Sequence, residues 1–269
     1  MLTKKAKLNA YHLTSIAISA LFLLSMTSMA SAGGLFGAPE TASKNAGGLN
    51  TAIGYRYHED TYKNHADHVI RQNSIYSQVA YGEKNTWEIY GRIGIADLKI
   101  SDAFGSTHVL TTTSKNNFED NWKLFGTLGA KAFYPFNEIF GIGAFVQGTC
   151  HFGDYTDSVA YSGNGASYII DFKVKNFWDV NFGIGLQATV PYGIKLYMGP
   201  YVYHSEADAS LSANVPGIEP GRENFLLKNK AIAGAFFGVD IPLSKGFRLN
   251  IEGQYAQRLS LGSAIAYVY

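Results

Sequence analysis

From Leu49 to its last residue the chain alternates apolar with polar or small residues, in about ten stretches of roughly 9 to 16 residues each. In "DVNFGIGLQATV" the residues Val180, Phe182, Ile184, Leu186 and Val190 oppose Asp179, Asn181, Gly183, Gly185, Gln187 and Thr189. "FRLNIEGQYAQR" sets Phe247, Leu249, Ile251 and Tyr255 against Arg248, Asn250, Glu252, Gln254 and Arg258. "TWEIYGRIGI" does the same with Trp87, Ile89, Ile93 and Ile95 against Glu88, Tyr90 and Arg92. Ordinary strands average about five or six residues, whereas a tilted strand needs about 9 to 11 to cross a bilayer. Past the N-terminal segment no apolar run approaches the roughly 18 residues of a helical span. Any crossing is therefore made by strands, and in hydrocarbon an all-β structure has to close on itself to pair its backbone.

The N-terminal segment has its own pattern. Lys4, Lys5 and Lys7 precede an apolar run from Leu13 to Met29, and Ala30-Ser31-Ala32 follow before two glycines. Charge, apolar stretch and small-residue cut site predict a secretory signal peptide over 1–32. Residues 33–48, "GGLFGAPETASKNAGG", show no periodicity and read as a flexible periplasmic leader, which leaves 49–269 for the barrel. The first 32 residues hold three lysines and no acid, so the balance of 22 basic against 21 acidic residues tips slightly negative without them. That charge excludes a nucleic-acid-binding pattern. One cysteine, Cys150, excludes an intramolecular disulfide framework in an oxidising compartment.

Connections between the alternating stretches are long and short by turns, from "EDTYKNHADHVIRQ" and "EKNT" through to "PLSKG", with only the final "QRLS" breaking the rhythm. In bacterial outer-membrane barrels an even strand number puts short turns in the periplasm and long loops outside. The expected fold is all-β: a transmembrane antiparallel up-and-down barrel of about ten strands. Eight or twelve result if the stretch from Ala166 to Val190 divides or the closing hairpin is read differently.

The last residues, "SAIAYVY", place Ile265, Tyr267 and Tyr269 at every second position up to the terminus. This ending resembles the carboxy-terminal signature of bacterial outer-membrane β-barrel proteins, with Tyr in place of the usual terminal Phe. The resemblance implies a Gram-negative-type outer-membrane location. It also implies a last strand that is recognised by the barrel-assembly machinery as an assembly signal and closes against the first strand. Implied partners are the secretion machinery, outer-membrane lipid and lipopolysaccharide. No cofactor is implied, and the oligomeric state is not read from the sequence.

The face opposite the apolar one collects Arg56, Glu88, Arg92, Lys123, Lys131, Lys173, Lys175, Asp179, Asp240, Arg248, Glu252 and Arg258. These are expected to line a narrow lumen and, because unpaired buried charge is costly, to pair and brace or plug it. Eight strands give an interior that side chains just fill, so ten favour an occluded one. Function is expected to be that of a small porin-like or structural surface protein. One alternative is a surface adhesin acting through the loops at 101–120 and 205–228. His58, His65 and His68 are metal candidates by residue type, without a metal-ligand spacing. The second alternative is a rim-active outer-membrane hydrolase, by analogy with the omptin family of ten-stranded surface proteases, which place Asp and His at the extracellular rim. Here His58, Asp60, His151, Asp154, His204 and Asp208 are expected near that rim, with no match to an omptin motif.

Overall fold

The computed structural model describes residues 36–42, 48–63, 67–84, 86–104, 112–113, 115–163, 166–214 and 221–269. The signal-peptide reading and His65 lie outside these residues. In chain order the strands are β1 (Gly48–Lys63), β2 (Asp67–Glu83), β3 (Trp87–Ile100), β4 (Thr112–Thr113), β5 (Phe118–Pro135), β6 (Phe140–His151) and β7 (Tyr155–Gly163). They continue as β8 (Ala166–Val190), β9 (Ile194–Asn214), β10 (Gly221–Asn229), β11 (Ala233–Pro242), β12 (Phe247–Tyr255) and β13 (Leu259–Val268). Every pairing is antiparallel. The ring runs β1, β2, β3, β5, β6, β8, β9, β11, β12, β13 and returns to β1. Closure is by β13 on β1, from Asn50↔Val268 to Tyr57↔Leu261, and the Tyr269 amide donates to the Leu49 carbonyl at 3.3 Å. Ten strands form the wall, as the alternation predicts; eight and twelve are not observed.

Alternation assigns the two faces. Ile53, Ile89, Ile93, Leu128, Val146, Phe182, Leu186, Met198, Phe237 and Ile265 all point outward and are exposed. A row of such side chains facing water would be ruinous for a soluble protein; against lipid it is the stable arrangement. Trp87, Tyr134, Phe140, Phe247 and Tyr269 edge this belt on the periplasmic side, and Trp122, Phe152 and Tyr255 on the other, all exposed. Rings that meet both lipid and water favour these two levels. Inside, glycine makes room for tyrosine: a Cβ at Gly129 would overlap the Tyr90 ring, and one at Gly238 the Tyr197 ring.

Two features depart from expectation. The extracellular connections are largely strand: β8 has 25 residues and β9 has 21, well beyond the predicted lengths. β7 prolongs β6 along β8, while β10 runs beside β9 and touches β1 at Tyr62↔Asn229. These extensions are ordered because their inward faces pack together. Tyr62, Ile70, Leu98, Ile100, Phe104, Phe118, Tyr155, Tyr161, Phe172, Val174, Phe177 and Leu227 belong to one buried apolar cluster above the belt.

The second departure is the leader. Residues 36–42 lie inside the barrel and not as a free periplasmic tail. Phe36 is buried, stacked on Phe145 at 3.7 Å between ring centroids, with its edge toward Tyr201 and Phe236. Burying such a ring stabilises by roughly 1.5–3 kcal/mol, one part of what holds a segment that has no strand partner.

Candidate functional site

From periplasm to surface the interior has three levels. At the lowest, the 36–42 segment is held by wall side chains. Glu252 accepts the Phe36 and Gly37 amides at 3.2 and 2.8 Å, and Tyr197 Oη and Gln254 Nε2 donate to the same carboxylate at 3.0 and 2.8 Å. Glu40 pairs with Lys195 at 3.0 Å and accepts from Gln187 at 2.8 Å. Glu88 accepts the Ala42 amide at 3.0 Å and Asn50 Nδ2 at 2.9 Å, and pairs with Lys131 at 3.2 Å. Arg248 is paired with Asp240. Each buried carboxylate thus has donors or a cation to offset its desolvation, the condition on which such groups persist in a dry interior.

At mid-height Arg92 donates to Gln78 at 2.7 Å and lies over the rings of Tyr76 and Tyr90, 4.9 and 4.8 Å from their centroids. Tyr90 Oη donates to Gln147 at 2.8 Å. Arg56 and Asp179 line a small chamber at this level. Above it lies the apolar cluster, whose polar tips are satisfied: Tyr155 Oη donates to the Ala96 carbonyl at 3.1 Å, and Tyr161 Oη to the Phe104 carbonyl at 2.5 Å.

Nine of the twelve residues read as lumen-lining face inward: Arg56, Glu88, Arg92, Lys123, Lys131, Asp179, Asp240, Arg248 and Glu252. Lys123 pairs there with Asp120 at 3.2 Å. Lys173, Lys175 and Arg258 are corrections. Between Lys175 and Trp178 the β8–β9 register shifts, with Asn176 in the left-handed region at φ 50. This bulge exchanges the two faces of β8: below it Asn181 and Gln187 are buried, above it Phe172 and Val174. Lys173 and Lys175 therefore turn outward, and Lys173 pairs with Asp154 at 2.8 Å. Arg258, in the turn after β12, reaches along the rim to Glu59 at 2.7 Å and Thr61 at 3.2 Å. The interior is also not charge-lined throughout, since its extracellular level is apolar.

The six rim residues do not converge. His58 bonds Ser260 at 2.9 Å, and His151 bonds Tyr155 at 2.9 Å while stacking on Phe177. Asp60 accepts from Tyr203 at 2.5 Å; burial pushes its carboxyl up, against that hydrogen bond and the Thr61 amide. Asp154, His204 and Asp208 face outward, bonded to Lys173, Glu206 and Asn176. No hydrogen bond joins any two of the six among the described residues. Of the metal candidates, His58 points inward and His68 Nδ1 is buried; no group of three ligand side chains occurs among the described residues. Ile265 and Tyr267, read as the assembly signal with Tyr269, lie on the strand that closes the ring, opposite Ile53 and Thr51.

A closed ten-stranded ring with an apolar outer belt and polar side chains inside it at belt level defines a transmembrane β-barrel, the spanning architecture of bacterial outer membranes. The class rests on the ring and belt of this chain itself. Among solved structures the chain is similar to the outer membrane protease OmpT from Escherichia coli, at 12% identity over 86% of this chain and 100% of that one, with a TM-score of 0.42. It is also similar to the translocator domain of the autotransporter NalP from Neisseria meningitidis, at 10% identity over 84% and 89% of the two chains, TM-score 0.41. The transport unit of the autotransporter AIDA-I from Escherichia coli gives 10% identity over 88% and 94%, TM-score 0.40. No protein-family profile and no curated protein matches the chain.

Proposed function

We propose that this outer-membrane barrel is a sealed scaffold that presents its extracellular end to the surroundings, a structural or binding surface protein and not an open pore. The observation that carries this reading is the buried apolar cluster above the belt, which includes Phe104, Phe118, Tyr155, Phe172 and Phe177. Ions and polar solutes need a hydrated path, and a packed aromatic core offers none. The 36–42 segment adds a second obstruction below, so removing it alone leaves the upper seal intact. The hydroxyl- and charge-bearing outer faces of β7 to β10 are the surfaces offered to a partner, and the belt is the surface offered to outer-membrane lipid and lipopolysaccharide.

Planar-bilayer recording tests this. The purified barrel is expected to give no discrete conductance steps, and a variant lacking residues 36–42 is expected to stay silent too. Regular steps from the intact protein would sink the reading and restore the porin-like one.

A further inference from the structure

β10 is paired along one side only. β9 accompanies it from Gly221↔Ala213 to Lys228↔Glu206, but on its other side β1 reaches only Lys228 and Asn229. Above Lys63 the residues Gly221–Leu227 therefore form a sheet edge, and no ladder or backbone hydrogen bond meets that edge among the described residues.

The parity of the ladder identifies the groups left over. The Lys230 amide donates to the Thr61 carbonyl at 2.9 Å, so even-numbered residues aim their backbone groups toward β1 and odd-numbered ones toward β9. Arg222, Asn224 and Leu226 thus present their N–H and C=O groups to the open side. Neither a proline nor a register shift blunts this edge. The gap beside β7 is built differently, since there Asp157 accepts the Glu119 amide and Asp120 the Thr156 amide. The β10 edge has no such cover among the described residues.

An incoming strand fits above Lys63 as a prolongation of β1, antiparallel to β10 and running away from the membrane. A second β10 in the same membrane runs toward it and cannot be that strand. Inward, the newcomer meets the buried Leu227 and the half-buried Phe225, which packs on Phe172, with the exposed Glu223 at the head of the same row. Outward, it meets Leu226, then the exposed Asn224 and Arg222. Lys228, opposite Lys63 at the foot of the gap, is paired with Glu206 at 3.2 Å. Main-chain bonds give such a contact its affinity, and alternate side chains give it specificity.

We propose that the upper edge of β10 is a docking site for an extended segment of a partner protein, which adds as a further strand with apolar residues beside Phe225 and Leu227 and an acidic residue opposite Arg222. The site rests on the extracellular end being a binding surface; conductance reports on the seal and peptide binding on the edge, so the two fail separately.

The probe is the acetylated, amidated peptide Val-Thr-Val-Thr-Lys-Asp, added to the full-length barrel in detergent and followed by amide exchange. In the free barrel the Arg222, Asn224 and Leu226 amides are expected to exchange about tenfold or more faster than those of Glu223, Phe225 and Leu227, which face β9. The peptide is expected to slow the first three saturably. N-methylation of its two threonines, whose amides point at β10, abolishes the effect, whereas N-methylation of its second valine, whose amide points away, preserves it. Asn224→Pro removes one edge donor while sparing the β9 ladder, so it abolishes peptide binding with unchanged heat-modifiable migration. Arg222→Glu weakens binding about tenfold. Slow exchange of the three edge amides in the free barrel, no slowing by the peptide, or slowing indifferent to the position of the N-methyl groups would each overturn the proposal. Protection that rises with barrel concentration alone would overturn it in favour of a second copy. Should Asn224→Pro not fold, the N-methylated peptides decide.

Discussion

Asp120 and Asp157 exchange backbone partners across the gap between β5 and β7: Asp157 accepts the Glu119 amide at 2.8 Å, and Asp120 accepts the Thr156 amide at 2.6 Å. β7 pairs with β8 and with the short β4, and no ladder joins it to β5. The two carboxylates do the work of the missing backbone pairs, and Lys115 closes on Asp157 from above at 2.5 Å. Such charge-assisted bonds contribute roughly 1.5–3 kcal/mol each.

Asp157→Ala is therefore expected to open this seam while leaving the ring intact. Amide exchange at Glu119 should accelerate about tenfold or more, with unchanged heat-modifiable migration of the barrel on gels. Unchanged protection at Glu119 would show that the seam is held by something else.

Phe172 touches three rings of the upper core, with centroids 5.0 Å from Phe118, 5.9 Å from Phe225 and 6.1 Å from Phe104. Phe172→Ala should cost about 3–5 kcal/mol, read as a lower denaturant midpoint for the extracellular extension than for the belt. A loss confined to the belt would contradict the assignment of this core to the extension.

Glu252 accepts the amides of Phe36 and Gly37 at the start of the leader segment. In a Cys150→Ala background, an Ala38→Cys side chain should react slowly with a polar maleimide added to the purified barrel. Adding Glu252→Ala should speed that reaction by about tenfold or more. Equal rates would mean that the Phe36 ring and the Glu40 and Ala42 contacts hold the segment without Glu252.

Glu59 supplies the pH dependence. Burial alone would raise its carboxyl, but hydrogen bonds from Tyr57, Arg258 and Arg71 outweigh that and hold it below the ordinary value. A depressed folded-state value stabilises the protein above the unfolded value, and this contribution is lost as pH falls through the folded one. Glu59→Gln should thus be less stable than the parent at pH 7, by no more than about 1 kcal/mol because both arginines are well exposed. The two thermal midpoints should converge as pH falls below the lowered folded-state value of Glu59. A difference that persists in acid would remove the charge from the explanation.

The lipid-facing half of this fold was legible because period two survives any detail of packing: Ile53, Ile89, Phe182 and Ile265 are outward wherever the strand ends fall. The bulge at Asn176 was not. It changes the face of every residue above it in β8 while leaving Ile170, Phe172 and Val174 still alternating, so Lys173 and Lys175 read as continuous with Asp179. The upper core had a signal: alternation at Val159 and Tyr161, and at Ala207, Ala209 and Leu211, runs past the length that lipid requires. The leader had a weaker one in Phe36, a large ring in an otherwise small and polar stretch. Glu40 and Lys195, which join leader to wall, sit too far apart in sequence for any local pattern to link them.

The 25-residue β8 has a further consequence. Its twelve residues above Trp178 add roughly 40 Å of strand at about 3.3 Å per residue, or about 30 Å of height at the usual tilt. The bulge that ends the belt is thus the foot of a stiff pedestal, and whatever meets this protein first meets it well clear of the lipid headgroups, at the elevation of a surface antenna.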